Sequence, residues 1–391
     1  MTLDIEKIRA ETPGTAHGIH LLAAGSALMP QCVVDAIMAH TELEARIGGY
    51  EAKAAQADAL DGVYDSVARF IGAKRNEIAL MENATVAWCH AFYALPLEKG
   101  ARILTCEAEY AANYVAFLQR AKRDGLTIDV VPSDASGAVD LRALESMIDD
   151  RVGLIAMTWV PTNGGLVNPA AKVGKIARKH DIPYLLDACQ AVGQMPVDVG
   201  KLGCDFLSAT GRKYLRGPRG TGFLYVAEKW LKTLEPAMID HFGAPWVSAD
   251  TYQLRDDARR FETWENSYAL RAGLGVAVDY ADALGMEAIQ KRVKELATLC
   301  RDGLEGINGA QVRDIGTEHC GIVSFTVEGM DPDATVAALR ARGIVIGAST
   351  PFSTRLDAEA RNLPTVMRMA PHYYNTDAEI EHFFAVLTAL K

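Results

Sequence analysis

The chain has 391 residues, room for one large or two medium domains, and its 49% hydrophobic and 23% charged content is that of a globular enzyme. Lys plus Arg is 40 and Asp plus Glu is 50, so the formal charge of −10 weighs against nucleic acid or an anionic membrane as partner. The opening "MTLDIEKIRAETPG" lacks a basic start before an apolar core, no apolar run approaches the roughly 20 residues that span a bilayer, and seven cysteines without a Cys-x-x-Cys pair argue for a reducing cytoplasm and against a zinc site.

In chain order, "EIALMEN" reads as a strand leading into the helical "ATVAWCHAFYALPL". "ARILTCEAEY" repeats that pattern before the helix "AANYVAFLQRAKRDG". "TIDVVPS", a helix around "DLRALESMIDD", "VGLIAMTWVP", the helix "NPAAKVGKIARKHD" and the strand "IPYLLDAC" follow, and "GTGFLYVAEKWL" closes this part. Short strands alternating with helices predict an α/β fold with a mostly parallel sheet covered on both faces. From about residue 255 the pattern changes. One long helical stretch is expected over "YALRAGLGVAVDYADALGMEAIQKRVKELATLCRDGLEGI", then a smaller α+β unit, ending in the helix "DAEIEHFFAVLTALK". The expected division is an N-terminal arm over 1–20, a large α/β domain over 21–255 and a small C-terminal domain over 256–391.

In open α/β sheets ligands sit beyond the carboxyl ends of the strands. Four such ends carry chemistry: "ENAT", "EAEYAAN", "LLDACQ" and "SATGRK". Taken singly, each has a plainer reading. Asp187 suits a helix N-cap, "ENAT" an ordinary cap, and Tyr110 a packed ring. Lys213 changes the weighing, because a lysine just past a strand and followed by glycines is not placed like a surface lysine. A carboxylate, a flat ring, free N–H groups at a helix start and a lysine are together the parts that hold pyridoxal 5′-phosphate.

"LDACQAVGQMPVDVGKLGCDFLSATGRKYLRGPRGTGFLYV" resembles the corresponding segment of the class V aminotransferases, fold type I pyridoxal phosphate enzymes. "ENAT", "EAEYAAN", "RRFETWEN" and "MRMAPHYYNTDAEIEHF" resemble further segments of that family in the family's order. The resemblance implies Lys213 as the Schiff-base lysine that moves the Cα proton, Asp187 on the ring nitrogen, Gln190 on the ring hydroxyl and Tyr110 stacked on the ring. Ala84, Thr85 and Thr210 would hold the phosphate, with Arg212 as a further candidate where relatives carry His. Arg368 would grip the substrate carboxylate. The ring-contacting position falls at Thr162 or Asn163. Tyr50 and His372 are candidates for a second acid or base, or are simply packed residues. The resemblance also implies a homodimer, with "IGGYEA" and "RRFETWEN" reaching the partner's site, and a small amino acid as substrate.

The loop "GASTPFSTRLDAEARNLP" holds no cysteine, where cysteine desulfurases carry a nucleophilic one. Desulfurase activity is therefore disfavoured at this point. "HLLAAGSALMP" and "APHYYNT" look like hercynylcysteine sulfoxide lyases and isopenicillin N epimerase-like proteins. The expectation ranks β-elimination at a C–S bond first and epimerisation or transamination next. A non-enzymatic protein with this fold is set aside, because it would be expected to lose Lys213 or Asp187.

Overall fold

The computed structural model describes residues 3–391; the first two residues of the expected arm lie outside the described residues. The apolar runs read from the sequence become a seven-stranded sheet, in the order Ile78–Met81, Gly222–Val226, Phe206–Thr210, Tyr184–Asp187, Val152–Thr158, Arg102–Cys106 and Thr127–Val131. Gly222–Val226 runs antiparallel to both neighbours and the other pairings are parallel. The strands Gly222–Val226, Phe206–Thr210 and Tyr184–Asp187, inside the sheet, and the edge strand Ile78–Met81 are buried along their whole length, which is why they read as unbroken apolar runs and not as alternating ones. One face is sealed by an aromatic cluster in which Trp88 lies 4.8 Å from Phe92 and 5.2 Å from Phe117, centroid to centroid.

This topology collects the strand ends at one edge. Thr158 pairs with Asp187 and Asp187 with Ser208, so the segments that follow all emerge together. Met81 and Thr210 both pair with Gly222, which brings the helix start after Met81 beside the turn after Thr210.

A second, antiparallel sheet has the order Ala310–Val312, Val323–Val327, Val366–Met369 and Gly347–Ser349. Met367 and Met369 are fully buried in its core with Phe325, Ile380 and Phe383. The alternation of a strand therefore puts Arg368 on the opposite face. The expected single long helix is two, Tyr268–Leu284 and Met286–Glu305, broken at Gly285 with φ 84°. The sequence reading also passed over the helices Gln31–Ile47 and Ala57–Ile71, against which Tyr268–Leu284 packs. The arm forms a separate two-stranded parallel sheet, Ile19 and His20 pairing with Ile344 and Val345, and further on Ala27 N–H donates to the Arg212 carbonyl at 2.9 Å.

Candidate active site

Lys213 sits on a tight return between the strands Phe206–Thr210 and Gly222–Val226. The return is closed by Gly211 N–H donating to Thr221 at 2.9 Å, Gly217 N–H to Gly211 at 2.8 Å and Arg216 N–H to Lys213 at 2.9 Å. Its glycines answer to space. A Cβ on Gly211 would stand 2.2 Å from the Thr221 hydroxyl oxygen, and one on Gly222 would stand 2.5 Å from the Ala209 carbonyl and 3.3 Å from the Ala84 nitrogen. Gly220 needs its freedom for a φ of 86°.

The Lys213 side chain is half-buried, and its amine has neither hydrogen bond nor ion pair among the described residues. Burial lowers its pKa, Arg212 and Arg368 add to that, and the charge of Asp187 opposes it. A lysine so placed is uncharged a larger share of the time and is a better nucleophile.

Asp187 ends its strand 5% exposed. One oxygen accepts the Cys189 N–H at 2.9 Å and the other accepts Asn113 Nδ2 at 2.9 Å. Gln190 donates to the Ala24 carbonyl at 3.2 Å and leaves its own side-chain oxygen buried without a partner. Ser208, level with Asp187 on the next strand, also has an unpartnered hydroxyl. Tyr110 caps the helix Ala111–Asp124 and is 37% exposed; its hydroxyl feels the charges of Asp187, Cys189, Arg212 and Arg368.

At the next edge Asn83 caps the helix Ala84–Ala94 by accepting from Val86 N–H at 2.9 Å, leaving the N–H groups of Ala84 and Thr85 at the helix start. Thr210 is buried, its hydroxyl donating to Thr221 at 3.3 Å. Arg212 donates to the Gly25 carbonyl. Glu262 ties this corner from behind, accepting Leu80 N–H at 3.0 Å and pairing with Arg271 at 2.9 Å.

Arg368 reaches the same space from the second sheet. Its Nη1 donates to the Thr162 carbonyl at 2.9 Å and to the Thr162 hydroxyl, and its Nε is buried without a partner. No acid pairs with it among the described residues, and burial lowers its pKa. An unpaired buried guanidinium is built to receive an anion. Asn163 donates to the Thr354 hydroxyl at 3.4 Å and keeps an unpartnered oxygen, so of the two residues left open Thr162 is committed to Arg368 and Asn163 has capacity to spare.

Two candidates do not join the cluster. His372 is fully buried; its Nε2 meets the Tyr214 carbonyl at 2.7 Å and its Nδ1 accepts Tyr373 N–H at 3.0 Å. Both nitrogens are engaged and burial pushes its pKa well down, so it has no proton to exchange with a ligand. Tyr50 is 73% exposed on the helix Gly49–Ala55 and lines a surface groove with Lys53, Tyr268 and Arg271. Glu109 and Asn113 were missed, although both stand in "EAEYAAN"; Glu109 lies in the turn before the helix Ala111–Asp124 and Asn113 in its first turn, four positions on.

The residues fit the cofactor that the resemblance implies. A helix start with free N–H groups, a lysine amine without a partner, an orphaned amide oxygen and a fixed carboxylate lie at the ends of neighbouring strands. The comparisons agree. The family model "Aminotransferase class-V" matches residues 19–383. A probable cysteine desulfurase of Methanothermobacter thermautotrophicus is 30% identical, covering 96% of this chain and 95% of that protein. The apo cysteine desulfurase of Thermococcus onnurineus NA1 superimposes with a TM-score of 0.92 at 26% identity, covering 100% of this chain and 98% of the other. A C-DES variant with glycine linked to its pyridoxal phosphate has a TM-score of 0.88 at 22% identity, covering 97% and 98%. These relatives correct the expected reaction. Desulfurases were disfavoured because the loop Gly347–Pro364 lacks cysteine, and a β-elimination lyase was ranked first; the Methanothermobacter and Thermococcus relatives, similar over nearly the whole chain, are named cysteine desulfurases.

Proposed function

The chain belongs to the class V aminotransferase family of pyridoxal phosphate enzymes, and from that premise we propose that it removes sulfur from cysteine. The observation that carries this reading is the match, over nearly the full chain, to relatives named for that activity. The bound cofactor supplies an aldehyde that takes up an amine and a ring that accepts the electron pair left by a departing Cα proton.

In this reading Lys213 anchors the cofactor and carries the Cα proton, its lowered pKa suiting both tasks. Asp187, held by Asn113, would meet the ring nitrogen, and Gln190 would offer its free oxygen to the ring hydroxyl. Tyr110 covers the ring. The N–H groups of Ala84 and Thr85 take the phosphate with Thr210, and Arg212 adds charge. Arg368 binds the substrate carboxylate with the Nε that nothing else uses.

The sulfur acceptor in this reading is a thiol brought by another molecule. Cys189 follows Asp187, whose charge together with burial keeps its thiol protonated. The acceptor sulfur bonds to the substrate sulfur as the Cβ–S bond breaks; the electron pair stays with carbon, which takes a proton. Cysteine and a thiol thus give alanine and a persulfide.

The enzyme is further proposed to be a cytoplasmic homodimer. Its seven cysteines are free, and no helix of the described residues is long and apolar enough to cross a membrane. Tyr50, Trp246, Val247, Tyr252 and Trp264 are exposed large apolar side chains of the kind a second copy covers. Incubation of the cofactor-loaded protein with L-cysteine and dithiothreitol tests the reaction. Alanine and sulfide in equal amounts support it; pyruvate and ammonia, or racemised cysteine, overturn it.

A further inference from the structure

Glu109 is a buried carboxyl group that the reaction as described does not use. It is 3% exposed and no cation pairs with it. Its Oε1 accepts from Tyr110 N–H at 2.8 Å, from Asn113 Nδ2 at 2.8 Å and from the Thr158 hydroxyl. Its Oε2 accepts from the Thr105 hydroxyl and from Thr158 N–H, each at 3.0 Å. Five donors around one carboxyl form a site built for an anion, while burial without a counter-charge opposes ionisation. The balance raises its pKa to about 7, with burial the largest cause and Asp187 adding to it.

The side-chain amide of Asn113 is shared. One of its two hydrogens goes to Glu109 and the other to Asp187, at 2.8 and 2.9 Å. Two acids thus hang on one amide, with nothing between them but that group. The other titratable groups facing Glu109 are Cys106 and Tyr184, both buried and held protonated, so neither offsets its charge. Asp187 faces Tyr110, Cys189 and Lys213 on its other side.

We propose that Glu109 is a positioning residue that acts through Asn113 to fix Asp187 and to set the charge Asp187 presents to the cofactor's ring nitrogen. The proposal rests on the assignment of Asp187 to that nitrogen. When Glu109 is ionised, a second negative charge lies behind the shared amide and deepens the negative potential on the Asp187 side of it. The ring nitrogen then holds its proton more tightly. When Glu109 is neutral, Asp187 acts alone.

The test measures pyridoxal phosphate affinity of the apo protein, and the absorbance of the bound cofactor, from pH 5.5 to 8. Glu109→Gln should match the wild type at pH 5.5 and bind about tenfold more weakly at pH 8, where only the wild type carries the extra charge. Its effect should shrink when Asn113→Ala is already present. Parallel pH profiles for wild type and Glu109→Gln, or strictly additive effects with Asn113→Ala, would overturn the proposal. So would loss of cofactor binding at both pH values, which would mark Glu109 as a structural prop. Thr158→Val removes one donor and keeps the carboxyl, so it should move the affinity step to higher pH; an unmoved step would also overturn it. Asp187→Ala separates the underlying assignment. If that variant binds and absorbs like the wild type at every pH, Asp187 does not face the ring nitrogen, and the role of Glu109 falls with it.

Discussion

The guanidinium of Arg368 is held by Thr162, whose backbone carbonyl it meets at 2.9 Å and whose hydroxyl it also contacts. Two acceptors on one residue fix Nη1 and leave Nε free to pair with a carboxylate. Arg368→Ala should raise KM for the amino acid roughly 10- to 100-fold, the loss of a charge-assisted hydrogen-bond pair, with the bound-cofactor spectrum intact. Thr162→Val should raise KM by less, because it frees the arginine without removing it. Steady-state kinetics and an absorbance scan of each variant decide this. A lost cofactor spectrum in Arg368→Ala would place that residue on the cofactor instead.

Lys213 should be the lysine modified when the loaded enzyme is reduced with borohydride. Peptide mass mapping should find the pyridoxyl group there and nowhere else. Lys213→Ala should lower turnover by roughly 10²–10⁴-fold while the protein still folds, since the lysine has no partner whose loss would cost stability.

How much of this was legible follows from what each residue depends on. Asp187 and Lys213 stand at the ends of apolar runs, so the sequence displays them once strands alternate with helices. Arg368 is visible by motif, because one residue carries its role. Asn113 is not, since its importance lies in a contact with Asp187 across 74 positions. The break at Gly285 hides inside a stretch whose apolar spacing continues on both sides. For His372 and Tyr50 the sequence left two readings open, because what separates them is not local: one is buried with both nitrogens engaged and the other is exposed. The reaction class was misjudged from a missing loop cysteine, a weak warrant when a sulfur acceptor can come from another molecule.

The exposed strands Trp246–Ser248 and Thr251–Tyr252 predict where the proposed dimer would close. Light scattering should give twice the chain mass for the wild type, and Trp246→Asp should shift the population toward monomer by putting a charge into the contact. A wild-type monomer with full activity would refute the dimer.

Arg216, fully buried, clamps three segments around the site. Its Nε donates to the Leu28 carbonyl at 2.8 Å, Nη2 donates to the Thr12 hydroxyl at 2.6 Å, and the guanidinium lies 4.9 Å from the ring centroids of both Tyr373 and Tyr374. It also adopts a φ of 61°, a strained value for a side-chain-bearing residue. Arg216→Ala should cost about 3–5 kcal/mol in chemical denaturation. Arg216→Gly should cost about 1 kcal/mol less, because glycine relieves the backbone while losing the same contacts. Equal losses would mean that the strain is not released.

The pH dependence of stability carries a sign that Glu109 fixes. Its pKa rises from the usual 4.5 to about 7 in the folded chain. Below pH 4.5 the group is neutral in both states and its contribution to stability is complete. Between 4.5 and about 7 the unfolded chain ionises while the folded chain resists, so that contribution drains away. Above about 7 the loss is complete, amounting to about 3 kcal/mol for a shift of this size. Glu109→Gln has no proton to lose. The stability difference between the variant and the wild type should therefore move in the variant's favour from pH 4.5 to 7 and stay level beyond. Urea denaturation of both proteins without cofactor, at matched ionic strength, measures that difference. A difference that stays flat across the window would show that Glu109 ionises as readily in the fold as out of it.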